Sequence, residues 1–391
     1  MLTEVECEGY KTFSARTRLS LRPLTVIFGK NNSGKTTLAR LPLFAAASLA
    51  SRGSNYVLSV DDIRFGSSFA DLASSDQPHP RIFLRMRWEQ QAEGEEPTAR
   101  SLARELQYVS SGIERHDVQA RRLIIDDEPP VEFKLSKPSD GTIRAMNRDR
   151  LTRDEVFAIT QRRDFLQRLV RDTIHIPSAR AKVETTYATR EPNAWTLGEV
   201  PYLLATNNSL MSEVAAWFES NMNGLVIDVD LAAFAFRLVE VHENVAVSLS
   251  ESGRGTQSVL PVVALLLAVA RLERRARLIV VEEPEEHLHP SAHGALGDLL
   301  IEASGHSQIV VETHSENLIL RLRRRIAEGA INPDQISFCY VDEDHNAVPI
   351  EIDAQGIAAN WPVGVFEEDA EEAQAIVQAK LAAMGPLGTG E

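Results

Sequence analysis

One eight-residue stretch has the residue types and the spacing of a loop that binds phosphate. Residues 29–36, GKNNSGKT, match the pattern G-x-x-x-x-G-K-[ST] at every fixed position. The glycines let the backbone turn tightly, so that its N–H groups face phosphate oxygens at a helix N-terminus. The second lysine reaches the β- and γ-phosphates, and the threonine hydroxyl can ligate Mg²⁺. The predicted nucleotide-binding residues of this loop are Gly29, Asn31, Asn32, Ser33, Gly34, Lys35, Thr36 and Thr37.

Two carboxylates at the end of an apolar strand supply a second part of the chemistry. Residues 278–281 are apolar, and Glu282 and Glu283 follow them directly. We expect this strand to run beside the strand of the phosphate loop and to deliver its acids to the metal. Glu282 would then hold Mg²⁺, and Glu283 would activate the attacking water as a general base. The alternative is a strand end that is capped by two solvated glutamates.

A glycine-rich turn precedes a long apolar helix that ends near Leu272. Gly253, Gly255, Thr256 and Gln257 would present backbone N–H groups and a hydroxyl at the start of this helix, which makes a second anion site. Because the phosphate loop already provides the first, we interpret the turn as binding the γ-phosphate of a nucleotide on another copy of the chain. The alternative is a tight turn that starts a core helix.

A histidine ends the next apolar strand along the chain. The string IVVETHS places His314 there, one strand after Glu283. At the γ-phosphate its ring could donate a hydrogen bond and respond to hydrolysis. A lone histidine is more often structural, but its position after the carboxylate strand favours a functional role. The predicted catalytic residues are therefore Lys35, Glu283 and His314.

The elements that must position these residues indicate an α/β protein. A β-rich run, 24–28, precedes the phosphate loop, and a helix over 37–47, with a kink predicted at Pro42, follows it. Alternating runs over 81–146 predict an antiparallel sheet with hairpins. The remaining pattern predicts helices over 152–172 and 209–222, a strand in TIHIPSARA, a loop over 182–200 and three strands over 225–250.

The composition is that of a globular protein, and it limits the classes of partner. The net charge of −15 disfavours long-range attraction to nucleic acid, although arginines cluster locally, as in RLRRR at 321–325. No apolar run reaches the roughly 18 residues of a membrane span. The two cysteines, Cys7 and Cys339, are too few for a disulfide framework or a cysteine zinc site. We predict a cytoplasmic protein without a membrane partner.

Several strings together resemble one group of ATPases. PLTVIFGKNNSGKTTL, EEPEEHLHP, ETHSENLILRLRRRIAEG and WPVGVFEED are similar to bacterial AAA-type ATPases with a short C-terminal domain of unknown function. In order and spacing, the site motifs resemble the ABC-type ATPase head, in the branch that includes the overcoming-lysogenization-defect (OLD) nucleases and the RecF-type and SMC-type heads. The resemblance implies the fold class, an α/β P-loop ATPase head with a mixed sheet, an antiparallel β subdomain and a helical insertion.

The resemblance also implies a division of the chain. We expect an N-terminal ATPase lobe with the phosphate loop at 1–80, an insertion of antiparallel strands and helices at 81–250, a C-terminal ATPase lobe at 251–345 and a short C-terminal segment at 346–391. OLD nucleases carry a separate Toprim nuclease domain after the ATPase. We expect no nuclease within this chain, because few residues follow His314.

The same resemblance implies a homodimer, or a higher homo-oligomer, that binds ATP and Mg²⁺. Two heads would sandwich two ATP molecules, with Lys35 and Thr36 contributed by one subunit and the turn at 253–257 by the other. The loop EEHLHP would cross between the subunits, and His314 would act as the switch. Lys11 and Phe13 are candidates for contact with adenine.

The sequence departs from the family pattern in three places. The turn that would contact the second copy reads SGRGTQ instead of LSGGQ. Glu282 stands where many relatives have Asp, which lengthens the reach to the metal. Gln77, in SSDQPHP, is a poor match to the Q-loop.

Two other groups of polar residues have simpler explanations than a metal site. Asp342 and Asp344 suit a hairpin turn between two strands. The crossing loop explains His287 and His289 better than a zinc site with His293 does.

Taken together, these features predict an ATP-driven switch. ATP would join two heads, hydrolysis by Glu283 would separate them, and the insertion would present a surface to a separately encoded effector or to DNA. By analogy with stand-alone heads, we prefer bacterial antiphage defence and keep DNA repair or maintenance as an alternative. A transporter motor subunit is disfavoured by the poor Q-loop. A small-molecule kinase would leave the turn at 253–257 and His314 without a role.

Overall fold

The computed structural model describes most of the chain. The described residues are 1–51, 56–74, 80–90, 98–110, 116–126, 128, 131–132, 152–180, 182–232, 235–242, 245–272 and 276–366. Gln77 and residues 133–146 of the predicted antiparallel region lie outside these ranges.

Strands and helices alternate in the second half of the chain, whereas strands dominate the first. In chain order the strands are β1 (Leu2–Glu8), β2 (Thr17–Ser20), β3 (Leu24–Gly29), β4 (Ser59–Val60), β5 (Ile63–Arg64), β6 (Arg81–Gln90), β7 (Thr98–Ser110), β8 (His116–Ile125), β9 (Val131–Glu132), β10 (Thr173–Ile176), β11 (Tyr187–Ala188), β12 (Val226–Leu231), β13 (Ala235–His242), β14 (Val245–Ser248), β15 (Leu278–Glu282), β16 (Gln308–Glu312), β17 (Ile336–Val341) and β18 (Ala347–Ile350). The helices are α1 (Lys35–Ala50), α2 (Phe69–Leu72), α3 (Arg153–Arg171), α4 (Val200–Thr206), α5 (Asn208–Asn221), α6 (Arg254–Arg271), α7 (Pro290–Ser304) and α8 (Glu316–Ala327).

The central sheet has the order β10-β15-β16-β3-β17-β18. Its first five strands are parallel, and β18 pairs antiparallel with β17. The strands β3, β15 and β16 are apolar along most of their length and buried, as expected for strands that are covered on both faces. Their carboxyl ends meet at one edge of the sheet, which is where ligands bind in open α/β sheets.

The order of these strands corrects one expectation. The carboxylate strand β15 does not run beside the phosphate-loop strand β3, because β16 lies between them and pairs with both. Glu312, at the end of β16, is in register with Glu282 on one side and with Ile27 on the other. A carboxylate from β16 therefore stands closest to the phosphate-loop strand.

Two antiparallel sheets flank the central one. The first has the order β2-β1-β6-β7-β8-β9, so the N-terminal hairpin and the strands after residue 80 share one sheet. The second is formed by β11, β12, β13 and β14. The hairpins predicted between 81 and 132 and the three strands predicted over 225–250 are confirmed.

Hydrophobic cores cover both faces of the central sheet. On one face, Val26, Val281 and Val311 pack in a cluster with the apolar sides of α4, α5, α6, α7 and α8. On the other face, Ile27 and Val280 pack in a cluster with α1, α3 and the first antiparallel sheet. The strands whose carboxyl ends meet at this edge are therefore packed against a hydrophobic core on both faces of the sheet.

The helix predictions are mostly confirmed. The predicted helix over 152–172 is α3, which begins with a capping box between Thr152 and Glu155. The helix predicted after the phosphate loop is α1, and it continues past Pro42 to Ala50. The structure adds α4, which begins at the last residue of the predicted loop over 182–200 and ends before the predicted helix over 209–222. Within the described residues, no helix is long and apolar enough to cross a membrane.

Candidate nucleotide and metal site

The predicted phosphate loop is a tight turn between β3 and the start of α1. Three of its residues have positive φ: Gly29 at 147°, Asn32 at 63° and Gly34 at 103°. A side chain at Gly29 would place its Cβ 2.3 Å from the carbonyl oxygen of Val341, so only glycine fits there. The ammonium of Lys35 donates a hydrogen bond to the carbonyl oxygen of Lys30 at 2.5 Å, which folds the lysine back over the loop.

The structure brings Thr36 together with a carboxylate to which sequence reasoning assigned no role. The Thr36 hydroxyl donates a hydrogen bond to Oε1 of Glu312 at 2.7 Å. Glu312 is 1% exposed, and its Oε2 has no hydrogen-bond partner among the described residues. Burial raises the pKa of Glu312 to about 7 against the opposing hydrogen bond from Thr36. The only signal in the sequence was the second strand that ends in Glu, in VVETHS.

Glu282, the predicted metal ligand, is held by basic side chains. Its Oε1 accepts a hydrogen bond from Nε of Arg40 at 2.5 Å and lies 2.7 Å from Nε2 of His175. Its Oε2 accepts hydrogen bonds from Nη2 of Arg40 at 2.7 Å and from the backbone N–H of Ser178 at 3.4 Å. Burial alone would raise the pKa of Glu282, but Arg40 and His175 outweigh it and lower the pKa to about 2. The carboxylate is therefore ionised, and both of its oxygens have hydrogen-bond partners.

Glu283, His314 and Glu312 lie close together. Their ligand atoms all lie within 4.8 Å of one another, and Nε2 of His314 is 3.9 Å from Oε1 of Glu283. Glu283 has a φ of 43°, and its N–H donates to the carbonyl oxygen of Glu312 at 2.8 Å. Burial and the nearby charge of Glu286 raise the pKa of Glu283, whereas burial and the charge of Lys35 lower that of His314. At neutral pH His314 is then mostly uncharged.

This geometry is accompanied by a family match over most of the chain. Residues 24–321 match the family described as "AAA domain, putative AbiEii toxin, Type IV TA system". The chain belongs to this AAA family. No curated protein is significantly similar to it in sequence.

The fold of this AAA domain is similar to that of solved SMC heads. One is described as "Crystal structure of the SmcHead bound to the C-winged helix domain of ScpA", with a TM-score of 0.52, 14% identity, and coverage of 90% of this chain and 98% of that one. The SMC head domain from Thermotoga maritima gives a TM-score of 0.46 at 11% identity, covering 90% of this chain and 99% of that one. The fold is that of an ABC-type P-loop ATPase head, which confirms the predicted fold class.

In this AAA domain, Glu285 fixes the strand end that carries His314. Its Oε1 accepts hydrogen bonds from the hydroxyl of Thr313 at 2.7 Å and from the N–H of His314 at 2.8 Å. Burial raises the pKa of the Glu285 carboxyl. The loop after the carboxylate strand is therefore tied to the segment between β16 and α8 that carries His314.

Arg180 links the end of β15 to the helix α6. Its Nη2 donates hydrogen bonds to the carbonyl oxygens of Glu282 at 2.7 Å and Glu283 at 2.9 Å, and its Nη1 donates to the Ser258 hydroxyl at 3.3 Å. Sequence reasoning noted the string IPSARA but gave its arginine no role. A single side chain thus connects the backbone of both adjacent carboxylates to the helix that follows the glycine-rich turn.

The four residues of the glycine-rich turn are placed differently from one another. Gly253 caps the N-terminus of α6 and is exposed, and no described atom lies within 4 Å of the position that a Cβ would take. Thr256 is buried. Gln257 donates hydrogen bonds from Nε2 to the carbonyl oxygens of Ser250 and Ser252. A Cβ on Gly255 would lie 2.6 Å from the carbonyl oxygen of His287. Of the four, Gly253 is the one that presents open backbone.

The other polar groups that were weighed for metal binding have structural partners. His289 caps α7, and His293 contacts the hydroxyl of Ser315 at 2.6 Å. Asp342 accepts two hydrogen bonds from Asn346 in the hairpin between β17 and β18. The three histidines of the zinc alternative form no metal-ligand cluster in the described ranges.

A cavity of about 480 Å³ lies beside the phosphate loop. Thr12, Arg16 and His345 are among its lining residues, and Nδ1 of His345 lies 2.8 Å from the carbonyl oxygen of Ser33. Phe13, a predicted adenine contact, is 1% exposed, and its ring packs near the Cα of Gly34. Its ring face is therefore covered in this structure.

Proposed function

We propose that this AAA domain binds ATP with a divalent cation, hydrolyses it, and uses the cycle to join and separate two copies of the chain. One observation carries the proposal. The carboxyl ends of β15, β16 and β3 bring Glu283, Glu312, His314 and the phosphate loop to one edge of the sheet. The same edge holds the Lys35 ammonium, the Thr36 hydroxyl, the two acids and the His314 imidazole. These groups can position a phosphoryl group and the attacking water and can stabilise the charge of the transition state.

The residues of the loop fit a triphosphate. The positive φ values at Asn32 and Gly34 turn the backbone before α1, whose N-terminus favours anions. The Lys35 ammonium donates a hydrogen bond to the carbonyl oxygen of Lys30, which is an uncharged acceptor. A bound phosphate would replace it with a charged acceptor, and hydrogen bonds to charged acceptors are stronger. The cavity that His345 and Thr12 line gives room for the nucleoside next to the loop.

Hydrolysis is assigned to Glu283 with His314. The Glu283 side chain is 31% exposed, in contrast to the buried Glu282, so it can reach a water molecule. Its raised pKa brings it closer to the range in which a base works at neutral pH. His314, uncharged because of burial and Lys35, can donate one hydrogen bond to the γ-phosphate.

Dimerisation is supported by the exposure of Gly253. The backbone at the start of α6 is open, and this helix has 18 residues. The N-terminus of such a helix attracts an anion. The phosphate of the subunit's own nucleotide would be bound elsewhere, by the phosphate loop. The γ-phosphate on a second copy is that anion in our proposal. Thr256 and Gln257, which are turned inward, would act by shaping the turn rather than by contact.

The partner that responds to the switch is proposed to be a separate protein. The SMC head in one similar structure is bound to the C-winged helix domain of ScpA, which is a separate protein. The net charge of −15 favours a protein over nucleic acid. Bacterial antiphage defence is the setting that we prefer, with DNA repair or maintenance as the alternative.

ATP hydrolysis by the purified chain tests this function. We expect the rate per molecule to rise with protein concentration, because two copies build each site. The Lys35→Ala variant should neither bind nor hydrolyse ATP. A rate per molecule that stays constant over a hundredfold range of concentration would instead support a monomeric enzyme such as a small-molecule kinase.

A further inference from the structure

We propose that Glu312, together with the hydroxyl of Thr36, ligates the divalent cation of this site, and that Glu282 does not. The inference deepens the proposed function and rests on it, because the cation accompanies a bound nucleotide. The proposed ligand, Glu312, ends β16, the strand between β15 and β3. The sequence motifs alone do not mark this residue.

The distance between the two oxygens suits a shared cation. Oγ1 of Thr36 and Oε1 of Glu312 are 2.7 Å apart. Two neighbouring ligands of an octahedral Mg²⁺, each at about 2.1 Å, lie about 3 Å from one another. A cation could therefore bind between these oxygens after a movement of a few tenths of an ångström, with the Thr36 hydroxyl still protonated and its O–H turned away from the cation.

A second, independent observation points to a missing ligand. Oε2 of Glu312 is buried, and the described residues offer it no hydrogen-bond partner. Buried polar atoms almost always have partners, and an unpaired carboxylate oxygen is among the most costly exceptions. Glu283 offers an oxygen and His314 a ring nitrogen within 4.8 Å of the same carboxylate. The Thr36 hydroxyl and the Glu312 carboxylate themselves are hard oxygen ligands, which Mg²⁺ and Mn²⁺ prefer.

Glu282 lacks the free oxygen that a metal ligand needs. Arg40 contacts both of its oxygens, and His175 contacts one of them. Ligation of a cation would bring a second positive group against the Arg40 guanidinium or would leave that guanidinium without its carboxylate. Both outcomes are unfavourable for a fully buried acid.

Mn²⁺ binding to the full chain tests the assignment. Mn²⁺ replaces Mg²⁺ with the same ligand preference and is visible by electron paramagnetic resonance, so its free concentration can be titrated in the presence of the ATP analogue AMP-PNP. We expect Glu312→Gln to weaken Mn²⁺ binding at least about tenfold. Glu302→Gln, which removes the same charge from an exposed ion pair with Arg271, should leave the affinity within about twofold. Thermal melting establishes that each variant is folded.

The outcomes separate this inference from the function on which it rests. If the wild-type chain binds neither AMP-PNP nor Mn²⁺, the proposed function fails. If the wild type binds both and Glu312→Gln retains its Mn²⁺ affinity, the assignment of Glu312 alone is overturned. Should Glu312→Gln not fold, a crystal of the wild type with Mn²⁺ and AMP-PNP decides. An anomalous peak within about 2.5 Å of a Glu312 oxygen supports the proposal, and a peak bonded to Glu282 instead refutes it.

Discussion

Arg40 and Glu282 form a two-pronged ion pair, with distances of 2.5 Å from Nε to Oε1 and 2.7 Å from Nη2 to Oε2. Arg40 lies on α1, one turn after Thr36, and Glu282 ends β15, directly before Glu283. The helix that starts at the phosphate loop is therefore fastened to the strand that carries the proposed base. A shift of α1 on nucleotide binding would displace Glu282 through this ion pair, and with it the adjacent Glu283.

Loss of the pair should destabilise the fold. Arg40→Met would leave a buried carboxylate with only His175 and a backbone N–H as partners, and removal of one partner of a buried pair costs about 3 kcal/mol. Arg324→Met, which removes an exposed ion pair with Glu328, should cost less than about 0.5 kcal/mol. Urea unfolding of the two variants measures the difference. Equal midpoints would show that the Arg40–Glu282 pair contributes little.

Replacement of the proposed base should separate binding from turnover. Glu283→Gln keeps the size of the side chain and removes its ability to accept a proton, so we expect hydrolysis to fall by about 10²–10⁴-fold. ATP affinity should change little, because the phosphate loop and Lys35 are intact. Steady-state phosphate release and equilibrium binding of a fluorescent ATP analogue measure the two effects. Turnover at the wild-type rate would remove Glu283 from this role.

The two glycines at the start of α6, Gly253 at its N-cap and Gly255 in its first turn, should behave differently. Gly253→Ala adds a methyl group to open space, so the fold should lose less than about 1 kcal/mol. The same methyl group would stand between the helix N-terminus and the partner's phosphate, and hydrolysis should fall at least about tenfold. Gly255→Ala would push against the His287 carbonyl oxygen and should destabilise the fold by about 1–3 kcal/mol. Unimpaired hydrolysis by a folded Gly253→Ala variant would argue against a contact between the start of α6 and the γ-phosphate on a second copy.

Thiol labelling should report nucleotide binding. Cys7 and Cys339 are buried, and burial raises the pKa of the Cys339 thiol to about 12, so at pH 8 it is neither accessible nor ionised. Cys339 lies on β17 beside Ile27 of the phosphate-loop strand. Labelling then requires opening of the fold, and ATP at 100 times its Kd should slow it up to about a hundredfold. Rapid labelling that ATP leaves unchanged in the wild type would contradict this, and Lys35→Ala is the control that should show no protection.

The local motifs of the site could be predicted from sequence because each depends on a short stretch of chain. The phosphate loop, Glu283 and His314 were found in this way, and the structure brings them together. The hairpins between 81 and 132 followed from alternation of apolar and polar residues, which depends only on neighbours along the strand.

The features that could not be predicted from the sequence depend on contacts between segments that lie far apart along the chain. The insertion of β16 between β15 and β3 is set by how the helices cross the sheet, and no residue pattern within β16 reveals it. For that reason the sequence analysis gave Glu312 no role and predicted Glu282 as the metal ligand, and the position of the metal stays a prediction. The partners of Glu282, Arg40 and His175, lie 242 and 107 residues away along the chain, beyond any local pattern.

The mass of Glu283→Gln in solution tests the central claim most directly. With hydrolysis blocked, light scattering after gel filtration should give the mass of two chains in ATP and Mg²⁺, and the mass of one chain in ADP. The double variant Lys35→Ala, Glu283→Gln should remain a single chain in both. A single-chain mass for Glu283→Gln in saturating ATP, with nucleotide bound, would contradict the shared site.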